Sequence, residues 1–341
     1  MKKMSKVAAG VLTAAMTLGL AACGSASGTS SAASTATSAA ATSAAADGQT
    51  YTVGICQLVQ HPALDASTKG FEDALKEEFG DAITFDEQNA QGDAATTSTI
   101  CTNFVSENVD LILANATASL QAAAAATSDI PILGTAVTDY GVALDLDDFN
   151  GTVGGNISGT SDLPPLDQQA AMITELFPDA KNAGILYCSA EPNSKYQSDV
   201  VQAALEEAGL TVTVYTFSDS NDVTSVTGEA VANNDVLYVP TDNTAASCTE
   251  AINNVAKPAG VPIVAGEEGI MSGCGVATLS IDYYELGVTT GKMAVKILKG
   301  ESDVSEMPIE YYQNPVKEYN PEMCEALGVT VPDDYTAYEA E

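Results

Sequence analysis

The chain has 341 residues, 46 of them acidic and 12 basic, for a formal net charge of −34. An excess of that size repels phosphate backbones and anionic lipid surfaces, which argues against nucleic acid and against a charge-held membrane surface as partners. All 12 basic residues are Lys, so no guanidinium fork is available to grip a carboxylate or phosphate, and the single His, His61, cannot build a His-based zinc site.

Lys2, Lys3 and Lys6 precede the apolar run Val7 to Leu18, and Leu20-Ala21-Ala22-Cys23 follows. The run is shorter than the ~20 residues a bilayer-spanning helix needs. Its end resembles the lipobox of bacterial lipoproteins, so residues 1–22 are read as a signal peptide and Cys23 as the lipidated anchor. Residues 23–50 are rich in Ala, Ser and Thr and carry no large apolar side chain. Such a segment cannot bury enough surface to offset its ordering entropy, and it is read as a flexible tether reaching on the order of 30 Å. Six further cysteines, Cys56, Cys101, Cys188, Cys248, Cys274 and Cys324, form no CxxC and are read mostly as reduced, buried thiols.

From residue 51 the pattern alternates. TVGICQLV from Thr52 predicts a strand, FEDALKEEF from Phe71 a helix, ITFDEQNA from Ile83 a strand and TTSTICTNFVSEN from Thr96 a helix. DLILAN from Asp110, SLQAAAAAT from Ser119 and IPILGTAV from Ile130 continue it as strand, helix, strand. Short apolar runs separated by helices imply βαβ units around a parallel sheet. After the glycine-rich GTVGGNISGTSDLPP the series restarts with PLDQQAAMITELF from Pro165, NAGILYCS from Asn182, KYQSDVVQAALEEAG from Lys195 and LTVTVYTF from Leu210. A helix near Val223–Ala232, DVLYVPT from Asp235, AASCTEAINNVAKPAG from Ala245 and VPIVAG from Val261 complete it. VGIC against AGIL, DLILANAT against DVLYVPTD, and IPILG against VPIVA lie at similar offsets, which predicts a duplicated α/β lobe. The strand and long helix from Val276, and MPIEYYQ from Met307, cross back to the first sheet. Lobe 1 is therefore placed at 51–157 and 283–312 and lobe 2 at 158–282 and 313–341, with Gly154–Gly159 and Leu279–Asp282 as candidate hinge strands.

Ligands of open parallel sheets sit beyond the carboxyl ends of the strands, so the corresponding loops of two facing lobes converge on one cleft. Gln60 and His61 end the first strand, His61 either facing the cleft or capping the helix. Asn115, Ala116, Thr117 and Thr135 stand at the other strand ends of lobe 1, where small residues leave room for a bulky apolar group. In lobe 2, Ser189, Glu191, Asn193 and Ser194 lie where a helix opens, either as caps or as an anion cradle replacing the missing Arg. Thr241, Asp242 and Asn243 form a second such junction. Asp242, Glu267, Glu268 and, at the hinge, Asp282 are carboxylates of which one could meet a ligand ammonium. There is no GxSxG, P-loop, GxGxxG after a strand, or HExxH, so no catalytic reaction, metal or cofactor is expected.

GICQLVQHPALDASTKGF, GGNISGTSD, GILYCSAEPNS, LYVPTDNT and LSIDYYELGVTTGKMAVKILKG, together with the lipobox and tether, resemble the ABC-transporter substrate-binding lipoproteins of the tryptophan/tyrosine-binding type. The resemblance spans essentially 51–332 in order and brings Asn156 and Asp162, in its second motif, into the candidate set. Where relatives often read Asn-Val-Thr-Gly, this chain has Asn156-Ile157-Ser158-Gly159. It implies a type I periplasmic-binding-protein fold, two Rossmann-like lobes on a three-crossing hinge that close on a small ligand, most simply tyrosine, phenylalanine or tryptophan. It further implies an extracytoplasmic monomer anchored by Cys23 and delivery to an ABC permease driven by a cytoplasmic ATPase. On this reading the ligand carboxylate meets Ser189, Asn193 and Ser194, the ammonium Asp242 or Glu268, and the ring the lobe 1 side near Asn115. A sensory lipoprotein for another amino acid, a sugar or a nucleoside is the alternative.

Overall fold

The computed structural model describes residues 49–339. The expected signal peptide, Cys23 and nearly all of the tether lie outside the described residues. The first series runs β1 (Tyr51–Gln57), α1 (Pro62–Phe79), β2 (Ile83–Asn89), α2 (Ala94–Glu107), β3 (Leu111–Asn115), α3 (Thr117–Ala126), β4 (Ile132–Val137), α4 (Tyr140–Ala143) and β5 (Ile157–Ser161). β3, β4 and β5 are buried at every position, as strands covered by helices on both faces must be. They pair in parallel in the order β11-β5-β4-β3-β1-β2, where β11 is Glu310–Tyr311.

The second series runs α5 (Leu166–Leu176), β6 (Asn182–Cys188), α6 (Pro192–Glu207), β7 (Thr211–Phe217), α7 (Val223–Asn233), β8 (Val236–Val239), α8 (Asn243–Ala246), α9 (Thr249–Ala259), β9 (Ile263–Ala265), α10 (Glu268–Cys274) and β10 (Ala277–Ser280). After α11 (Tyr283–Leu298) and β11 come β12 (Val316–Tyr319), α12 (Pro321–Leu327) and β13 (Thr336–Ala337). The second sheet is ordered β13-β12-β10-β9-β8-β6-β7, parallel except where β12 meets β10. That antiparallel strand was not anticipated; its sequence, VKEY, alternates too weakly to register as a strand.

The return of the chain to the first sheet is visible in the packing. Met293, Ala294, Val304 and Met307 join one core with Val53, Ile55, Phe71 and Leu111. α11 lies so close on α1 that a Cβ on Gly287 would stand 2.0 Å from the Ser67 carbonyl oxygen, and one on Gly70 2.1 Å from that of Tyr284. Only glycine permits this approach.

Two sequence-based expectations are corrected. Ile157–Ser161 is an internal strand of the first sheet, between β4 and β11, so the boundary placed at 157 moves past Ser161. Gly154 and Gly155, both at positive φ, make the turn that enters β5, so the hinge placed at Gly154–Gly159 also moves; the chain crosses at 162–165. The cause is that serine, threonine and glycine in ISGTS mask a strand that is buried throughout and whose three hydroxyls are all hydrogen-bonded, as in Ser158 Oγ to the Met307 carbonyl at 3.0 Å. The six cysteines of the folded body are free; five are buried and Cys248 is half-buried.

Candidate functional site

β1, β3, β4 and β5 point their carboxyl ends toward those of β6, β8 and β9, and a narrow cavity with a water-accessible volume of about 10 Å³ lies between them. It is lined by His61, Leu64 and Ala136 from the first lobe, Thr241, Asp242, Asn243, Ala246 and Glu267 from the second, and Asp162 and Tyr283 from two of the crossings. No lysine lines it. The lobes touch across it through His61 Nε2 and Asn243 Oδ1, 3.2 Å apart.

The lobe 2 wall is built from carboxylates that cap helices. Asp242 accepts from the Ala245 amide at 2.7 Å and the Cys188 amide at 2.8 Å, joining the start of α8 to the end of β6. Glu191 reaches the same helix start, accepting from the amides of Asn243 at 2.9 Å and Thr244 at 2.8 Å and from the Asn243 side chain at 2.8 Å. Glu267 accepts from Gly269 and Ile270 at the start of α10. Apart from the Cys188 amide, these are the orphan donors of helix N-termini, and the protein's own carboxyl groups satisfy them. Burial drives the Asp242 carboxyl well above its ordinary range, helped by the Glu191 charge, and pushes Glu267 up to about 7.

Asp162 differs from these. It is 1% exposed, and its Oδ2 accepts from the Tyr283 hydroxyl at 2.9 Å, but its Oδ1 is buried with no hydrogen-bond partner. Burial raises its carboxyl to about 6. His61 Nδ1 is the other orphan on the cavity wall, and burial lowers the pKa of its ring. The starts of α1 and α3 in lobe 1 also contrast with those of α8 and α10 in lobe 2. α1 and α3 start without any side-chain cap; Ala116, just before α3, and Ala136, near the end of β4, hold φ of 89° and 50°. Positive φ at a residue with a Cβ is a strained conformation that the surrounding structure must enforce.

Of the residues expected at the site, His61, Asp162, Thr241, Asp242, Asn243 and Glu267 line the cavity. Ala116 packs with Leu64, Ala136 and Tyr283 beside it, and Thr117 follows in the first turn of α3. Glu191, Asn193 and Ser194 stand behind the wall: Asn193 Nδ2 and Ser194 Oγ donate to the Thr241 carbonyl at 3.2 and 3.3 Å, which holds the β8–α8 loop. Asn115 is turned inward, donating to the Leu64 carbonyl and Thr68 Oγ1 at 2.9 Å each, and Thr135 shares its hydroxyl with Thr160 and Thr290. Gln60 and Ser189 are exposed. Glu268 and Asp282 line a separate open cleft beside the crossings, where Ser280 Oγ donates to Glu268 and Asp282 caps α11. Asn156 holds the Thr127 and Ile130 carbonyls at the opposite end of the sheet. Leu64, Ala136, Ala246 and Tyr283 were not singled out; Tyr283 alone carried a signal, as the first helical residue after a crossing.

A family model described as ABC transporter substrate binding protein matches residues 52–341. The chain belongs to the ABC transporter substrate-binding proteins. This substrate-binding protein is 41% identical over 263 residues to a tyrosine-binding protein of Clostridioides difficile (strain R20291), covering 75% of each chain. It is similar to the crystal structure of an ABC domain in complex with L-Trp from Streptococcus pneumonia, with a TM-score of 0.80 at 34% identity over 84% of this chain and 97% of that one. Against the ligand-free, open structure of a substrate-binding protein with adhesive properties from Clostridium difficile, the TM-score drops to 0.65, although identity is 39% over 85% and 100% of the two chains. In the present structure the lobes are in contact through His61 and Asn243. The fold is the type I periplasmic-binding-protein fold that the sequence implied, and membership of the family makes the protein extracytoplasmic.

Proposed function

We propose that this substrate-binding protein captures an aromatic amino acid between its lobes and delivers it, as a Cys23-anchored monomer, to an ABC permease. One observation carries the ligand class: Asp162 Oδ1 is a buried acceptor without a partner, in a cavity that no lysine lines. A buried carboxylate of this kind is stabilised by a cation with donors to spare, and an α-ammonium supplies both charge and hydrogen bond. Leu64, Ala136, Ala246 and the Tyr283 ring give the remaining wall an apolar character suited to an aromatic side chain. The uncapped starts of α1 and α3 offer free amides to the ligand carboxylate, in a chain that has no arginine to offer.

This orientation differs from the one expected from sequence. The amides at the start of α8 already hold Asp242 and Glu191, so the second lobe has no anion cradle left there, and the carboxylate turns to the first lobe. The tyrosine-binding and L-Trp-bound relatives support the same ligand class.

A thermal-shift screen tests the reading, because a ligand that binds only the folded state raises its apparent stability. L-tyrosine, L-tryptophan and L-phenylalanine, myo-inositol, adenosine and N-acetyl-L-tyrosine are the probes. At about a hundred times the dissociation constant, a bound amino acid raises Tm by on the order of 5 °C. N-acetyl-L-tyrosine, which lacks the ammonium, leaves Tm unchanged. A shift with the sugar or the nucleoside alone refutes the proposal.

A further inference from the structure

The cavity holds two unpartnered buried acceptors, and only one of them is used by an ammonium at Asp162. The second, His61 Nδ1, has its protonation settled by its neighbours. Asn243 Nδ2 donates to Glu191 Oε2 at 2.8 Å, which fixes the amide with Oδ1 toward His61. An amide oxygen only accepts, so the 3.2 Å contact requires the proton on His61 Nε2. The ring is neutral, since burial opposes its charged form, and a neutral imidazole protonated at Nε2 presents a lone pair at Nδ1. His61 is 6% exposed and lines the cavity, and Nδ1 has no partner among the described residues. With the lobes in contact, that lone pair is buried and has no bulk water to turn to.

Resting on the aromatic amino acid reading, we propose that His61 is the specificity-determining residue of the site: its Nδ1 accepts from a ring donor, the phenol O–H of tyrosine or the indole N–H of tryptophan, and so disfavours phenylalanine. The strand order separates the two acceptors. Asp162 follows β5 and His61 follows β1, with β4 and β3 between them at about 4.8 Å per strand. An α-ammonium held at Asp162 leaves His61 for the far end of the ligand. Ala136 near the end of β4 and Ala116 after β3, with Leu64, flank the space between and make it apolar, as a ring requires.

The same residue also closes the lobes, and the two duties are separable by their consequences. A latch favours the closed state whatever ligand is inside, so losing it lowers every affinity by one common factor. A donor reader changes the ratio between ligands, because phenylalanine leaves the buried Nδ1 unsatisfied while tyrosine does not. Discrimination by a factor of roughly ten or more is expected from one such buried acceptor.

Isothermal titration calorimetry of the full folded body with L-tyrosine, L-tryptophan, L-phenylalanine and 4-fluoro-L-phenylalanine decides the matter. The fluoro compound matches tyrosine closely in shape but carries no ring donor. Tyrosine or tryptophan binding roughly tenfold or more tighter than both non-donors, with the ratio collapsing toward one in His61→Leu, is the result expected. If His61→Leu does not fold, the comparison of tyrosine with 4-fluoro-L-phenylalanine on the unaltered protein stands alone. The inference is overturned if the non-donors bind within about threefold of tyrosine, or if His61→Leu weakens all four equally. In either case aromatic amino acid binding itself survives. Absence of binding by all four overturns the ligand class instead.

Discussion

The Tyr283 hydroxyl donates to Asp162 Oδ2 at 2.9 Å, and this bond joins two of the three strands on which the lobes turn. Asp162 follows β5, where the chain first leaves lobe 1, and Tyr283 opens α11, where it returns. The group proposed to hold the ligand's charge is thus also part of the hinge, so ligand binding and lobe closure share a residue. Asp162→Asn keeps the side-chain shape and an acceptor for Tyr283 but removes the charge. Affinity for the aromatic amino acid should fall on the order of 30-fold or more, the cost of leaving an ammonium buried without its counter-ion. Calorimetric titration with L-tyrosine checks it, and an unchanged dissociation constant returns the ammonium to another carboxylate.

pH should move stability and affinity in opposite directions. Asp162, raised from 3.8 to about 6, and Glu267, raised from 4.5 to about 7, both bind protons more tightly folded than unfolded. Each contributes stability that is complete below its unfolded value and is lost as pH rises through its folded value. The ligand-free protein should therefore lose thermal stability steadily between pH 4.5 and pH 7, whereas an ammonium needs Asp162 ionised, so ligand affinity should rise through about pH 6. Calorimetric scans and titrations across this interval read both trends, and stability rising toward pH 7 contradicts the burial of these groups.

Asp242→Ala separates a structural carboxylate from a ligand-holding one. Both Asp242 oxygens are taken by the amides of Ala245 and Cys188, so the substitution leaves two buried donors unpaired and frees the start of α8. A loss of about 2 kcal/mol in unfolding free energy is expected. Urea titration measures it. Wild-type stability combined with lost affinity would instead make Asp242 a ligand contact.

The α1–α11 contact should not tolerate a methyl group. A Cβ on Gly287 meets the Ser67 carbonyl oxygen at 2.0 Å, which is backbone and cannot rotate away. Gly287→Ala should cost about 1–3 kcal/mol as the helices separate. Because the α1 start carries His61 and Leu64 to the cavity, affinity should fall with it. Differential scanning calorimetry and ligand titration of the same variant test the link.

Much of the architecture was legible because its signals are local. Apolar runs such as LILAN, buried at every position, and amphipathic segments such as FEDALKEEF mark strands and helices without reference to the rest of the chain. The return of the chain through α11 followed from an element left over once the second sheet was complete. β5 was missed because ISGTS hides a fully buried strand behind hydroxyls that find partners only in the tertiary structure, Ser158 with Met307 and Thr160 with Thr135 and Thr290. With it went the position of the first crossing, and the importance of Asp162.

The sequence by itself determined two α/β lobes, the strand ends as the place for a ligand, and the reliance on amides and carboxylates in a chain without arginine. These follow from periodicity and composition, which local physics reads directly. Only the tertiary structure decided which polar groups were already spent. Asp242, Glu191 and Asn115 looked as available as Asp162 and His61, but hydrogen bonds spanning 48 to 54 residues of chain commit the first three to the scaffold. What remains open to a ligand is the acceptor that folding leaves without a donor, and that is a property of the packed whole rather than of any residue or segment.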